Sequence, residues 1–165
     1  MKKFIKELVP YIVIVIIVVL IRTYIVTPVI VSGDSMIPTL EDKQLLLLNK
    51  INYQFNDIER YDIVVIKIDK KEIIKRIIGL PGETIEYRNN ILYVNGHEVE
   101  NDYNFDTDDF NLKSICNCDK IPNNKYLVLG DNRKVSADSR IIGLIDKENI
   151  EGKVDISIWP IKKVS

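Results

Sequence analysis

Ser35 lies in VSGDSMIPTL (residues 31–40), with Gly33 and Asp34 just before it and Pro38 soon after, the surroundings of a hydroxyl presented on a tight turn. A serine hydroxyl is a poor nucleophile until a neighbouring base accepts its proton. The chain holds one histidine, His97, and LYVNGHEVEN around it reads as a water-facing hairpin. A carboxylate is a weak base for this task, which leaves lysine. At its ordinary pKa only about a thousandth of lysine side chains are neutral near pH 7. Burial lowers that pKa by up to ~3–5 units, because desolvation penalises the ammonium. Lys75, in EIIKRIIGLPGE, is flanked by Ile73, Ile74, Ile77 and Ile78 and is the candidate base. Strand alternation sends Ile73, Lys75 and Ile77 to one face and Ile74, Arg76 and Ile78 to the other. Composition does not say which face is buried.

A third segment, LGDNRKVSADSR (129–140), reads as a strand ending in a tight turn at Gly130-Asp131-Asn132. Asp131, Arg133, Asp138 and Arg140 could pair into an ion network there, and Ser136 and Ser139 supply hydroxyls. Each segment alone also fits a bland role, Lys75 as a strand lysine extending its head to water and 129–140 as a charged surface turn.

The elements that must hold these residues read as β. Period-two and β-branched runs occur at 44–50, 62–68, 72–80, 84–87, 91–94, 125–130 and 153–159. Arg88-Asn89-Asn90 and Asn95-Gly96 are turn chemistry, so 84–100 forms a meander. Residues 101–124 are polar and rich in Asp and Asn, and read as a long surface excursion. Its DTDD lacks the glycine and closing glutamate of an EF-hand loop.

Ahead of this domain, LVPYIVIVIIVVLI (8–21) carries no charge. With Tyr11 and Tyr24 at the interfaces and Arg22 reaching outward, a span ending at residue 24 approaches the ~20 residues needed to cross hydrocarbon. No small-x-small cleavage site follows, so the expectation is a retained anchor and not a removed leader. Lys2, Lys3 and Lys6 put residues 1–7 in the cytoplasm, the anchor at 8–24 and an extracytoplasmic domain at 25–165.

The 23 basic and 24 acidic residues give no basic footprint for nucleic acid. Cys116 and Cys118 cannot assemble a four-ligand zinc site with one distant histidine. They read as incidental loop thiols, with a disulfide across the single intervening residue as the alternative.

Taken together and in order, the anchor, SGDSMIPTL, RYDIVVIK, KRIIGLPGE and GDNRKVSADSR resemble the bacterial type I signal peptidases, in the compact form found in Gram-positive bacteria. The resemblance implies a mainly β, LexA-like catalytic domain behind one N-terminal transmembrane helix, with no cofactor and no metal. It implies Ser35 as nucleophile, Lys75 as general base and Ser136 as the group that orients the Lys75 amine by a hydrogen bond. Asp131, Arg133, Asp138 and Arg140 become the scaffold of the site. The Ser35 backbone N–H becomes one oxyanion donor. Where some members carry a second donor hydroxyl this chain has Gly33, with Ser32 one residue further back. The implied partners are secretory preproteins delivered by the translocation machinery, cut after small residues at −1 and −3, and the lipid bilayer. Soluble self-cleaving LexA-like regulators share the Ser–Lys pair but have no such anchor. An anchored binding protein without catalysis would leave the order of the motifs to chance.

Overall fold

The computed structural model describes residues 2–99 and 105–164, with residues 2–6 and Gln54 described as backbone only. Helix α1 (Lys2–Tyr24) opens the chain and leads directly into strand β1 (Val26–Ile30). Then come β2 (Leu45–Asn49), α2 (Asn52–Phe55), β3 (Ile63–Ile68), β4 (Lys71–Gly79), β5 (Ile85–Arg88), β6 (Ile91–Val94) and β7 (His97–Glu98). The remainder is β8 (Phe110–Asn111), α3 (Leu112–Cys116), β9 (Lys125–Leu129), α4 (Ser139–Ile142), β10 (Ile145–Asp146), β11 (Ile150–Trp159) and β12 (Ile161–Lys163).

Residues 7–24 of α1 have a mean hydropathy of 2.1, and none of that window is buried within the protein. At 1.5 Å per residue this window is about 27 Å long, close to the thickness of a hydrocarbon core. Ile and Val surround it on all sides, so it has no polar face to turn to water. The Thr27 hydroxyl donates to the Arg22 carbonyl at 2.8 Å and satisfies one acceptor at the helix end.

An antiparallel sheet runs β1-β2-β11-β3-β4-β9-β10, with β12 folded back on β11, and a smaller one runs β7-β6-β5-β8. The large sheet bends where β11 shifts register against β2 and β3 and where β4 shifts against β9 at Ile77–Gly79. Alternation in β2 buries Leu46 and Leu48, whereas Ile63–Ile66 of β3 are buried on both faces. One core cluster joins Met36, Leu40, Leu46, Leu48, Ile63, Val65 and Val154, and another lies between the two sheets around Ile78, Tyr87, Leu92 and Leu127.

All seven sequence-read strands are present, with ends shifted by a few residues. Beyond them, β1 forms from the TPVI stretch that reads as the tail of the apolar run; as an edge strand it accommodates Pro28. The 101–124 excursion is more than surface loop. Its residues 101–104 lie outside the described residues, but it supplies β8 and α3, and it buries Leu112 (3 % exposed) and Ile121 (1 %) against the second core. Cys116 and Cys118 are joined in a disulfide, which corrects the reading of free loop thiols.

Gly79 lets this excursion close on β4: a Cβ there would meet Ile121 Cδ1 at 2.5 Å, Ile85 Cγ1 at 2.8 Å and Leu127 Cβ at 3.1 Å. Gly79→Ala is therefore expected to destabilise the domain by about 1–3 kcal/mol through overpacking. The measurement is the denaturant midpoint, which should fall without a change in slope.

Candidate active site

The Ser35 turn is fixed at both ends. Val31 N–H donates to Gln44 O, Lys43 N–H donates back to Val31 O, and Gly33 N–H donates to Asp42 Oδ1, each at 2.9 Å. Gly33 has φ +87°, a conformation that favours glycine. Beyond Ser35, Met36 (1 % exposed) and Leu40 (0 %) plug into the core, and the Ile37–Pro38 peptide is cis. The turn thus hangs from buried side chains and leaves Ser35 half-buried.

A second turn docks onto the first. Asn132 N–H donates to Ser35 O at 3.0 Å, and Asn132 Nδ2 donates to Asp34 O at 3.1 Å. Gly130 makes the approach possible, since a Cβ there would lie 2.5 Å from Ser35 O and 2.2 Å from Ser136 Oγ.

Lys75 arrives on β4, opposite Val64 of β3. Its Nζ donates to Ser35 Oγ at 2.7 Å and to Ile74 O at 3.0 Å. Both faces of β4 are buried here, with Lys75 3 % and Arg76 0 % exposed, so the choice of buried face left open by alternation does not arise. Burial holds the Lys75 pKa below the usual lysine range, while the charges of Asp138 and then Asp131 pull it back up.

Neither carboxylate reaches the amine, because each is tied to an arginine. Asp131 accepts from Arg76 Nε at 2.9 Å and Nη2 at 2.6 Å, and from the Thr39 hydroxyl at 2.5 Å. Asp138 accepts from Arg140 Nε and Nη2, both at 2.9 Å, and from Gly130 N–H at 3.0 Å. The network expected among Asp131, Arg133, Asp138 and Arg140 is therefore rearranged. Asp138–Arg140 forms, but the partner of Asp131 is Arg76. Arg133 donates to Gly130 O at 3.0 Å and to Thr107 Oγ1, and stands over the rings of Tyr87 and Phe105. It ties the second turn to the small sheet and pairs with no acid among the described residues.

Ser136 is buried (4 % exposed), and its hydroxyl makes no hydrogen bond among the described residues, to Lys75 or to any other group. Ser139 is also buried, and its hydroxyl accepts from Val128 N–H at 2.9 Å. Arg76 and Thr39 escaped the sequence reading. The signal for Arg76 was an arginine among isoleucines, which when buried requires a carboxylate partner.

Ser35 and Lys75 open onto a groove of about 100 Å³ between Val29–Ser32 and Glu72–Lys75. Ser32 lies on its wall, whereas the Gly33 N–H is already used by Asp42. Both walls carry strand edges: β1 ends its sheet, and β9 pairs with β4 only from Arg76 onward. Among the described residues no group of three or more His, Cys, Asp or Glu side chains could hold a metal ion.

The family model described as "Signal peptidase, peptidase S26" matches residues 2–159. Signal peptidase I of Bacillus caldolyticus is 41% identical over 165 residues, covering 93% of this chain and 91% of its own. Signal peptidase IB of Staphylococcus aureus is 41% identical over 155 residues, covering 85% and 81%. The crystal structure of a signal peptidase I from Enterococcus faecalis superposes with a TM-score of 0.56 at 36% identity, covering 59% of this chain and 97% of that one. The chain belongs to the signal peptidases of the peptidase S26 family.

The environment of Lys75 has a consequence for stability. Its pKa is lower in the folded protein than in the unfolded chain, where it is about 10.5. Below the folded value both states are protonated, and the full cost of the buried ammonium is felt. As pH rises from the folded to the unfolded value that cost is relieved, so stability increases. Lys75→Met is expected to be more stable than the unsubstituted protein at neutral pH, with the gain shrinking as pH approaches 10.5. Denaturant titrations of both proteins across this range measure the difference.

Proposed function

We propose that this signal peptidase is a membrane-anchored serine endopeptidase that cuts preproteins after small residues at −1 and −3, using Ser35 and Lys75 as a dyad. The observation that carries this reading is the 2.7 Å contact from Lys75 Nζ to Ser35 Oγ, made by a buried lysine with no carboxylate in contact among the described residues. A neutral Lys75 accepts the Ser35 proton as Oγ attacks the scissile carbonyl, and returns it to the leaving amine. The same amine then activates a water that releases the acyl group from Ser35. The buried hydroxyl of Ser136, without another partner among the described residues, is available to orient the amine. Asp131, through Thr39 and Arg76, joins the second turn to the Ser35 loop and to β4, while Arg133, Asp138 and Arg140 brace the second turn itself.

The Ser35 N–H is one donor to the developing oxyanion, and the Ser32 hydroxyl on the groove wall is the second. The substrate lies extended between the open edges of β1 and β4, where backbone hydrogen bonds bind it and shallow apolar pockets select its side chains. The basic N-terminus places residues 1–7 in the cytoplasm and the domain from residue 25 onward outside, where exported preproteins emerge from the translocation machinery.

In detergent-solubilised protein, Ser35→Ala and Lys75→Ala are each expected to lower preprotein cleavage by at least about 10³-fold. Lys75→His is also expected to fail, because imidazole lacks the reach of the lysine stem. Activity of the unsubstituted enzyme should rise with pH, with a midpoint below 10.5, as Lys75 loses its proton. Substantial cleavage by either alanine variant, or a profile that falls across that range, would overturn the dyad.

A further inference from the structure

We infer that Glu72 makes the groove selective for charge, favouring substrates with a basic side chain about four residues before the cut and disfavouring acidic ones there. The inference rests on the proposed function above.

The groove wall is otherwise apolar or neutral: Val29, Ile30, Met36 and Ile73 supply hydrocarbon, and Ser32 and Ser35 supply hydroxyls. Its two ionisable side chains are Lys75 and Glu72. Lys75 must be neutral to act as a base, so in the working enzyme the carboxylate of Glu72 is the groove's formal charge. Nothing among the described residues neutralises it. The cross-strand neighbour of Glu72 is Lys67, and that ammonium lies 3.7 Å from Glu151 instead. Glu72 is exposed, so its carboxylate meets whatever occupies this end of the groove.

Spacing along β4 sets which substrate residue that is. Glu72 precedes Lys75 by three residues, about 10 Å along a strand. An extended peptide beside β4, with its −1 carbonyl at Ser35, brings its −4 residue level with Glu72. Alternation turns the −4 side chain away from the face used by −1 and −3, so a long side chain there does not compete for the small-residue pockets. A lysine at −4 forms a solvent-accessible pair with Glu72, and a glutamate at −4 meets like charge. For exposed pairs such contacts change equilibria by about two- to five-fold, and salt weakens them.

The test uses full-length protein in detergent and three peptides with Ala at −1 and −3 that differ only at −4: Lys, Gln or Glu. The expected order of kcat/KM is Lys above Gln above Glu, with the Lys/Glu ratio shrinking at high salt. Glu72→Gln should bring that ratio close to one, and Glu72→Lys should invert it. A ratio near one in the unsubstituted enzyme, or one that Glu72→Gln leaves unchanged, overturns the inference while leaving the peptidase reading intact. Cleavage of none of the three peptides overturns the proposed function itself.

Discussion

An ammonium taken out of water costs several kcal/mol unless a counter-ion restores part of its solvation, and at Lys75 that restoration is withheld. The withholding takes structure to maintain, because two carboxylates lie close enough to raise the lysine's pKa. Asp131 is gripped through both oxygens by Arg76, and Asp138 by Arg140. Bidentate pairing fixes these carboxylates in orientation and spends their charge elsewhere. Replacing either arginine with a neutral residue would leave a buried carboxylate facing the amine, which would then be held in its protonated form. The arginines therefore govern the lysine without touching it.

The same pairs explain how three distant parts of the chain meet. Arg76 follows Lys75 on β4, Asp131 sits in the second turn, and Thr39, which donates to Asp131, sits just past Ser35. One carboxylate thus draws together the strand of Lys75, the loop of Ser35 and the turn that supports both. Gly130 sets the final distance, because its missing side chain is what lets Ser35 O approach that turn. Arg133 extends the support outward to the small sheet through Thr107 and the aromatic rings. A site assembled in this way is as rigid as the core behind it, since Met36 and Leu40 are part of that core.

What could be read in the sequence divides along a physical line. The strands of the large sheet, the apolar helix, and Ser35 and Lys75 as candidates follow from residue type and local periodicity, whereas the roles proposed for the two came from the order of the motifs and the resemblance it carries. The partner of Asp131 does not, because Arg76 reaches it through sheet register, and register is a property of the assembled fold. Strand β1 was hidden for a different reason: its Val and Ile continue the composition of the helix before it, and pairing with β2 distinguishes the two. The excursion at 101–124 looked like loop because polar residues outnumber apolar ones. Leu112 and Ile121 nevertheless anchor α3 and the segment after it to the second core. The Cys116–Cys118 bond was left open because two cysteines one residue apart are compatible with either state.

The open edges of β1 and β4 remain to be explained, since unpaired strand edges invite unwanted association. Pro28 removes one donor from β1, and the pairing of β9 from Arg76 onward limits how much of β4 is exposed. What stays open is a slot bounded on one side by Ser35 and Lys75, and on the proposed function this slot is completed only by a substrate strand. Its position is constrained by chain length: Ser35 follows the helix end at Tyr24 by 11 residues, so even fully extended it stays within about 40 Å of that end. A substrate held in the same bilayer is confined to the same thin layer, and its effective concentration rises accordingly. On the proposed function, recognition within the slot can therefore be weak and short, because the membrane supplies the encounter. On that reading a soluble protein with the same cleavage residues gains no such confinement, so the anchor would act as part of the specificity and not only as an attachment.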